Sequence, residues 1–254
     1  MKNISIIVLC IIQSSFCMED TTKEPIIVLD INLITDETPH QEKFSGFSSV
    51  PALLKTFYPW ELCKIKYAQP TILAKAVELT KTMHGATNIT KLALEAAGLS
   101  FNEKRVKTLV DIGINPELKA DGIELVQRLA SQNIPLLLTT HHDVYHFQRY
   151  AAFLQTKHAI NLKNIFSHGA VVVPDTYTSK NEESAPTYYI ADEPRPSAAY
   201  ARAIQFLATG RPVMLFDTDE QVVVGYSQET DFQTHHATNA ADVQKVLEAR
   251  GFLN

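Results

Sequence analysis

Two acids stand where apolar runs end. Ile26-Ile27-Val28-Leu29 leads straight into Asp30, and Val213-Met214-Leu215-Phe216 leads into Asp217-Thr218-Asp219. A third apolar run, residues 134–138, ends at Thr139-Thr140. A carboxylate at such a position can act as a nucleophile toward phosphorus or carbon. A second one nearby can hold Mg2+, which offsets the charge of a phosphoryl group. A hydroxyl can hydrogen-bond a phosphoryl oxygen, and a cation can stabilise charge that builds up during transfer. The plainer alternative for each acid is a polar turn at the end of a strand.

Chemistry of this kind needs the groups brought together. Each run is short and apolar at consecutive positions, the pattern of a strand covered on both faces. If the three strands are parallel neighbours, Asp30, one of the threonines and Asp217 converge on one edge. In open α/β sheets that carboxyl edge is where ligands bind.

Helical segments separate the runs. Residues 121–130 carry Ile123, Val126 and Ala130 on one stripe, with Asn133 as a left-handed stop. Residues 141–154 read as a helix, 164–173 as a strand after a turn at His168-Gly169, and 174–194 as a polar loop. Ser197 caps residues 198–208, residues 232–237 are a candidate fifth strand, and Asn239 caps 240–250. Strands alternating with helices predict an α/β fold, a doubly wound, mostly parallel sheet.

Residues 44–112 break this alternation with helical periodicity alone. Pro70 opens one expected helix, with Ile72, Leu73, Ala76, Val77 and Thr80 on its stripe; Thr87 or Asn88 and then Ser100 cap two more. The chain thus divides into a core of residues 22–43 plus 113–254 and a helical insertion at 44–112.

The chain has 254 residues, 45% of them hydrophobic, and a net charge of −5, so no basic surface advertises nucleic acid or an anionic membrane. Lys2, the apolar residues 4–12 and Ser15-Phe16-Cys17 have the layout of a signal peptide, residues 1–17. That run is too short to span a bilayer comfortably, so a protein exported to the periplasm or medium, starting near Met18 and without a stable membrane span, is expected. Of the three cysteines only Cys63 would remain, so the mature fold has no intrachain disulfide.

His142 and His146, spaced like the two histidines of a zinc protease helix, are read instead as rim histidines, and His235-His236 as one residue on each face of an edge strand. Tyr188-Tyr189 and Phe57-Tyr58-Pro59-Trp60 read as packing rather than a substrate clamp.

Four of these stretches, in order, resemble the motifs of the haloacid dehalogenase (HAD) superfamily. They are Asp30-Ile31-Asn32, Leu136-Leu137-Leu138-Thr139-Thr140, Glu193-Pro194-Arg195-Pro196-Ser197 and Val213-Met214-Leu215-Phe216-Asp217. The resemblance covers nearly all of the expected mature chain. It implies a HAD-like core with the insertion as a cap. It also implies a metal-dependent hydrolase of small phosphorylated or related substrates, with Mg2+ as cofactor. Asp30 would then be nucleophile and metal ligand, Asn32 a ligand through its backbone carbonyl, and Asp217 a further ligand. Thr140, or Thr139, would bind phosphoryl oxygens, and Arg195 would be the cation.

The departures are specific. The family's phosphatases have an acid where this chain has Asn32, and an amide cannot shuttle a proton. Losing that group typically costs about 10²–10⁴ in rate. Members that cleave carbon–halogen or phosphonate bonds lack it too. The family's lysine is replaced by Glu193, with the wrong sign, or by Arg195, with the charge but not the shape. Thr218 follows Asp217 where many members have another acid. The expectation is weakened hydrolysis, and the alternative is an inactive binding or scaffold protein on the same fold. Oligomeric state is not legible.

Overall fold

The structure, a computed structural model, describes residues 24–36, 50–79, 85–114, 116–174 and 185–253. The expected signal segment, residues 1–17, lies outside the described residues, as do 37–49 at the start of the insertion.

The first apolar run forms β1 (Ile26–Asp30), followed by a 3-10 turn (Ile31–Leu33) and the short β2 (Thr35–Asp36). Four helices come next: α1 (Val50–Thr56), α2 (Pro59–Leu79), α3 (Ala86–Ala96) and α4 (Glu103–Gly113). Then follow β3 (Glu117–Leu118), α5 (Ala120–Ser131), β4 (Leu136–Asp143), α6 (Val144–His158), α7 (Leu162–Ile165) and β5 (Ala170–Val173). The chain continues through β6 (Tyr188–Ile190), α8 (Ala198–Ala208), β7 (Val213–Asp217), α9 (Glu220–Glu229), β8 (Gln233–His236) and α10 (Ala240–Ala249).

Six strands form one sheet in the order β6-β5-β4-β1-β7-β8, every pair parallel. Alternation along the strands feeds two cores. Ile27, Leu29, Leu138 and Phe216 face one, and Ile26, Val28, Leu137 and Leu215 face the other beside Tyr200, Ile204 and Tyr226 of α8 and α9. Gly122 lets α5 lie against the turn that follows β1: a Cβ there would stand 2.1 Å from the Leu33 carbonyl oxygen.

The insertion has a small core of its own, Phe57, Leu94, Val106 and Leu109. At its base β2 and β3 pair antiparallel. Buried Asp143 fastens it to the end of β4, accepting from Thr87 N at 2.7 Å and from Thr87 Oγ1 at 3.1 Å. The same carboxylate caps α6 by accepting from His146 N at 2.8 Å.

Three expectations are corrected. Pro70 does not open a helix: α2 starts eleven residues earlier at Pro59, where a missing N–H costs nothing, and Pro70 lies inside it. None of the described side chains of α2 is fully buried, so no stripe marked its true extent. Residues 174–194 are not all loop, because Tyr188–Ile190 pairs with β5 as an edge strand. Finally β4 runs on to Asp143, so His142 sits on a strand and His146 on a helix. Their rings lie tilted against each other, with centroids 4.1 Å apart and planes at 44°.

No helix among the described residues is long and apolar enough to cross a membrane.

Candidate active site

The carboxyl edge of the sheet places the acids. Asp30 is the last residue of β1 and pairs with Thr139 of β4. On the other side Leu29 pairs with Phe216, so Asp217 comes level with Asp30. The strand period of two puts Asp30, Thr139 and Asp217 on one face, the face covered by α8 and α9. All three are buried.

Arg195 completes the group. It lies just before α8, whose cap Ser197 accepts from Tyr200 N at 3.1 Å. Its Nη1 is 2.5 Å from Asp217 Oδ2 and its Nη2 is 2.9 Å from Asp30 Oδ1, with the side chain only 7% exposed. The second contact is the one Asp30 Oδ1 makes. Asp30 Oδ2 accepts from Thr218 Oγ1 at 2.6 Å, and Asp217 Oδ1 accepts from Asp219 N at 2.9 Å.

Packing holds Arg195 there. A Cβ on Gly225 of α9 would stand 2.8 Å from Pro196 Cγ, so only glycine lets the helix reach the residue that follows Arg195. One turn into α8, the Tyr200 hydroxyl accepts from Thr140 N at 3.0 Å and lies 2.9 and 2.8 Å from the Thr140 and Val171 carbonyl oxygens. It bridges β4 and β5 where their register shifts. Burial pushes this phenol well above its ordinary range.

The two acids titrate apart. Burial opposes the charge on Asp30, but Arg195, Thr218 and His141 together outweigh it and hold the carboxyl below the usual range. Burial pushes Asp217 up to about 7; Arg195 pulls against this, and the Asp30 charge adds to it. Two carboxylates share one guanidinium in a dry place, so the pair takes up a proton readily.

The other expected groups lie as follows. The Thr140 hydroxyl, expected on phosphoryl oxygens, accepts from His142 N at 3.1 Å; Thr139 is the threonine on the Asp30 face, and its Oγ1 donates to the Leu29 carbonyl at 3.3 Å. Glu193 is exposed. The Asn32 carbonyl, expected on a metal, accepts from Lys119 Nζ at 2.7 Å. Lys119 was missed because a single lysine in a polar stretch, 87 residues away, carries no signal of where it will reach.

The expected donors for Mg2+ are therefore committed. Asp30 and Asp217 hold Arg195, and the Asn32 carbonyl holds Lys119. Mg2+ demands oxygens at about 2.0–2.1 Å in near-octahedral array. A guanidinium nitrogen 2.5 Å from one of these carboxylate oxygens leaves no such position, so the residues as arranged do not fit the ion. Among the described residues no group of three or more His, Cys, Asp or Glu side chains could hold a metal.

Acids at the ends of adjacent parallel strands, a threonine across from the first and a cation from the helix that precedes the last make one recognisable plan. The fold is HAD-like. No protein-family model matches the sequence, and no curated protein matches it. Among solved structures the HAD-like chain is similar to L-2-haloacid dehalogenase from Xanthobacter autotrophicus with chloropropionic acid covalently bound, at 11% identity and a TM-score of 0.48, covering 89% of this chain and 83% of that one. It is similar to the HAD phosphatase from Thermococcus onnurineus at 11% identity and a TM-score of 0.46, covering 88% and 98%. A HAD family enzyme from Bacteroides thetaiotaomicron gives 12% identity and a TM-score of 0.45, covering 84% and 92%. Strand order and the placement of the acids agree with the fold that the sequence resemblance implies.

Proposed function

We propose that the chain is a HAD-like hydrolase of small phosphorylated or related substrates, with Asp30 as nucleophile and with low turnover. The observation that supports it is the state of Asp30: buried at the carboxyl edge of the sheet, held below the usual carboxylate range, and facing the Arg195 guanidinium through Oδ1 at 2.9 Å. An ionised carboxylate oriented by a cation in a dry site can act as a nucleophile. In the proposed step Oδ1 forms a bond to phosphorus or carbon and the bond to the leaving group breaks. The leaving group departs with the electron pair, and water then cleaves the aspartyl intermediate. Arg195 orients the carboxylate and offsets the developing charge.

Asn32 has no acidic proton to give. Groups that leave as stable anions, such as aryl oxides or halide, are therefore the favoured substrates. Asp30 is fully covered, with Arg195 and Thr218 against its two oxygens, so a substrate reaches it only when the covering groups move. Mg2+ takes no part in this proposal.

The test is a panel of aryl phosphates, alkyl phosphates and 2-haloacids, with a search for a mass adduct on Asp30. Slow turnover, faster for aryl than alkyl esters and lost in Asp30→Asn, is expected. A second reading, a non-catalytic binding protein, is favoured by the guanidinium already seated on both acids. Absence of turnover and of adduct across the panel selects it.

We also propose export through residues 1–17, on the layout of Lys2, the apolar run and Cys17. N-terminal sequencing of native protein should begin near Met18, and retention of Met1 or Lys2 overturns it.

A further inference from the structure

We propose that Arg195 is a tethered replacement for a divalent cation, so that this acid pair neither binds nor needs Mg2+ until the guanidinium is removed. Two adjacent buried carboxylates repel each other unless a cation or a proton neutralises them. Here one guanidinium supplies it to both, at 2.5 and 2.9 Å. Each acid also keeps a local donor on its other oxygen, Thr218 Oγ1 for Asp30 and Asp219 N for Asp217. The Asn32 carbonyl, the backbone oxygen expected on a metal, faces an ammonium instead.

The tether gives the side chain its advantage over a free ion. Its backbone is anchored by the two residues that follow it, Pro196 packed against Gly225 and Ser197 capping α8. Mg2+ would have to shed tightly held water and displace a cation that cannot diffuse away. Loss of the guanidinium reverses this. The pair is then left without a neutralising partner, and the oxygens that now hold Arg195 become free ligands. The inference does not depend on turnover at Asp30, because its readout is metal binding.

The test uses the full chain. Melting is followed with and without MgCl2 at roughly 10 mM, where a ligand that binds only the native state raises the melting temperature. Bound Mn2+ is counted by electron paramagnetic resonance as a second probe. Wild type should show no Mg2+ shift and no bound Mn2+. Arg195→Gln should bind Mn2+ and melt higher with Mg2+, and Arg195→Gln with Asp30→Asn should lose both responses. Arg195→Lys keeps a cation and should stay metal-free. If Arg195→Gln folds only when refolded with Mg2+, that supports the proposal. Any of three results overturns it: metal binding by wild type that Asp30→Asn removes, an Arg195→Gln protein indifferent to metal or not rescued by it, or metal binding by Arg195→Lys.

Discussion

Thr218 and Asp30 come from different strand ends, 188 residues apart, yet the threonine hydroxyl donates to Asp30 Oδ2 across 2.6 Å. This bond and Arg195 hold the Asp30 carboxyl below its usual range despite burial. A group whose folded pKa is depressed adds stability above its unfolded pKa and loses it as pH falls through the folded one. Thr218→Val should therefore move acid unfolding to higher pH. At neutral pH it leaves a buried oxygen without its donor, at a cost of about 1–3 kcal/mol. Circular dichroism melts across an acid series read both effects.

Asp217 has the opposite sign. Its folded pKa, up at about 7, lies above that of an unfolded aspartate. The folded chain takes up a proton as pH falls below 7, while the unfolded chain does so only near pH 4. This residue alone makes the protein gain stability from neutral pH down to about pH 5. His168 and His235, both held low by burial, work against it over part of that range. The difference between wild type and Asp217→Asn isolates the carboxylate. The variant should lack the gain between pH 7.5 and 5 that wild type shows relative to it; equal slopes for the two would disprove the assignment.

Asn32→Asp restores a group that can protonate a leaving oxygen. Turnover of phosphate esters by Asp30 should rise at least about tenfold, since such a group is worth about 10²–10⁴. Alkyl esters, which need the proton most, should gain more than aryl esters. Steady-state rates on a matched pair of esters check it. An equal or smaller gain for the alkyl ester would mean that proton supply is not what limits the rate.

Strand ends were readable because an apolar run meeting an acid is a local pattern. Ile26–Asp30 and Val213–Asp217 became strands with every residue buried. Helix stops at Asn133 and caps at Ser197 and Asn239 were local too. Tyr188–Ile190 was hidden because an edge strand with one half-buried and two exposed residues needs no apolar run. The lysine reaching the Asn32 carbonyl and the arginine shared by two acids arise from the tertiary fold. The resemblance suggested that Arg195 supplies a cation; nothing local said it would sit between Asp30 and Asp217.

Gly225→Ala tests how firmly Arg195 is held. The new methyl would meet the Pro196 ring at 2.8 Å, and a ring cannot swing aside as a flexible chain would. A loss of about 1–3 kcal/mol is expected for such overpacking. For a chain of this size that lowers the melting temperature by roughly 2–4 °C per kcal/mol. Scanning calorimetry reads it; an unchanged melt would mean the wedge is not tight.

Asp143→Ala removes the acceptor for Thr87 N, Thr87 Oγ1 and His146 N together. Hydrogen bonds to a charged group are worth about 1.5–3 kcal/mol each, so the attachment of the insertion should weaken more than the sheet. Hydrogen exchange should speed up in Ala86–Ala96 and at the start of Val144–His158, while Ile26–Asp30 stays protected. Uniform acceleration across the chain would instead indicate global destabilisation.

The two-residue ribbon of Thr35–Asp36 and Glu117–Leu118 makes the insertion an interchangeable part. The chain departs and returns side by side, and beyond that ribbon the Thr87–Asp143 bonds are a main attachment to the core. Closing a longer or shorter excursion changes the entropy only logarithmically with its length. The excursion can therefore be exchanged, in a lineage or at the bench, without redesigning the strands that carry the acid, provided the partner of Asp143 is kept.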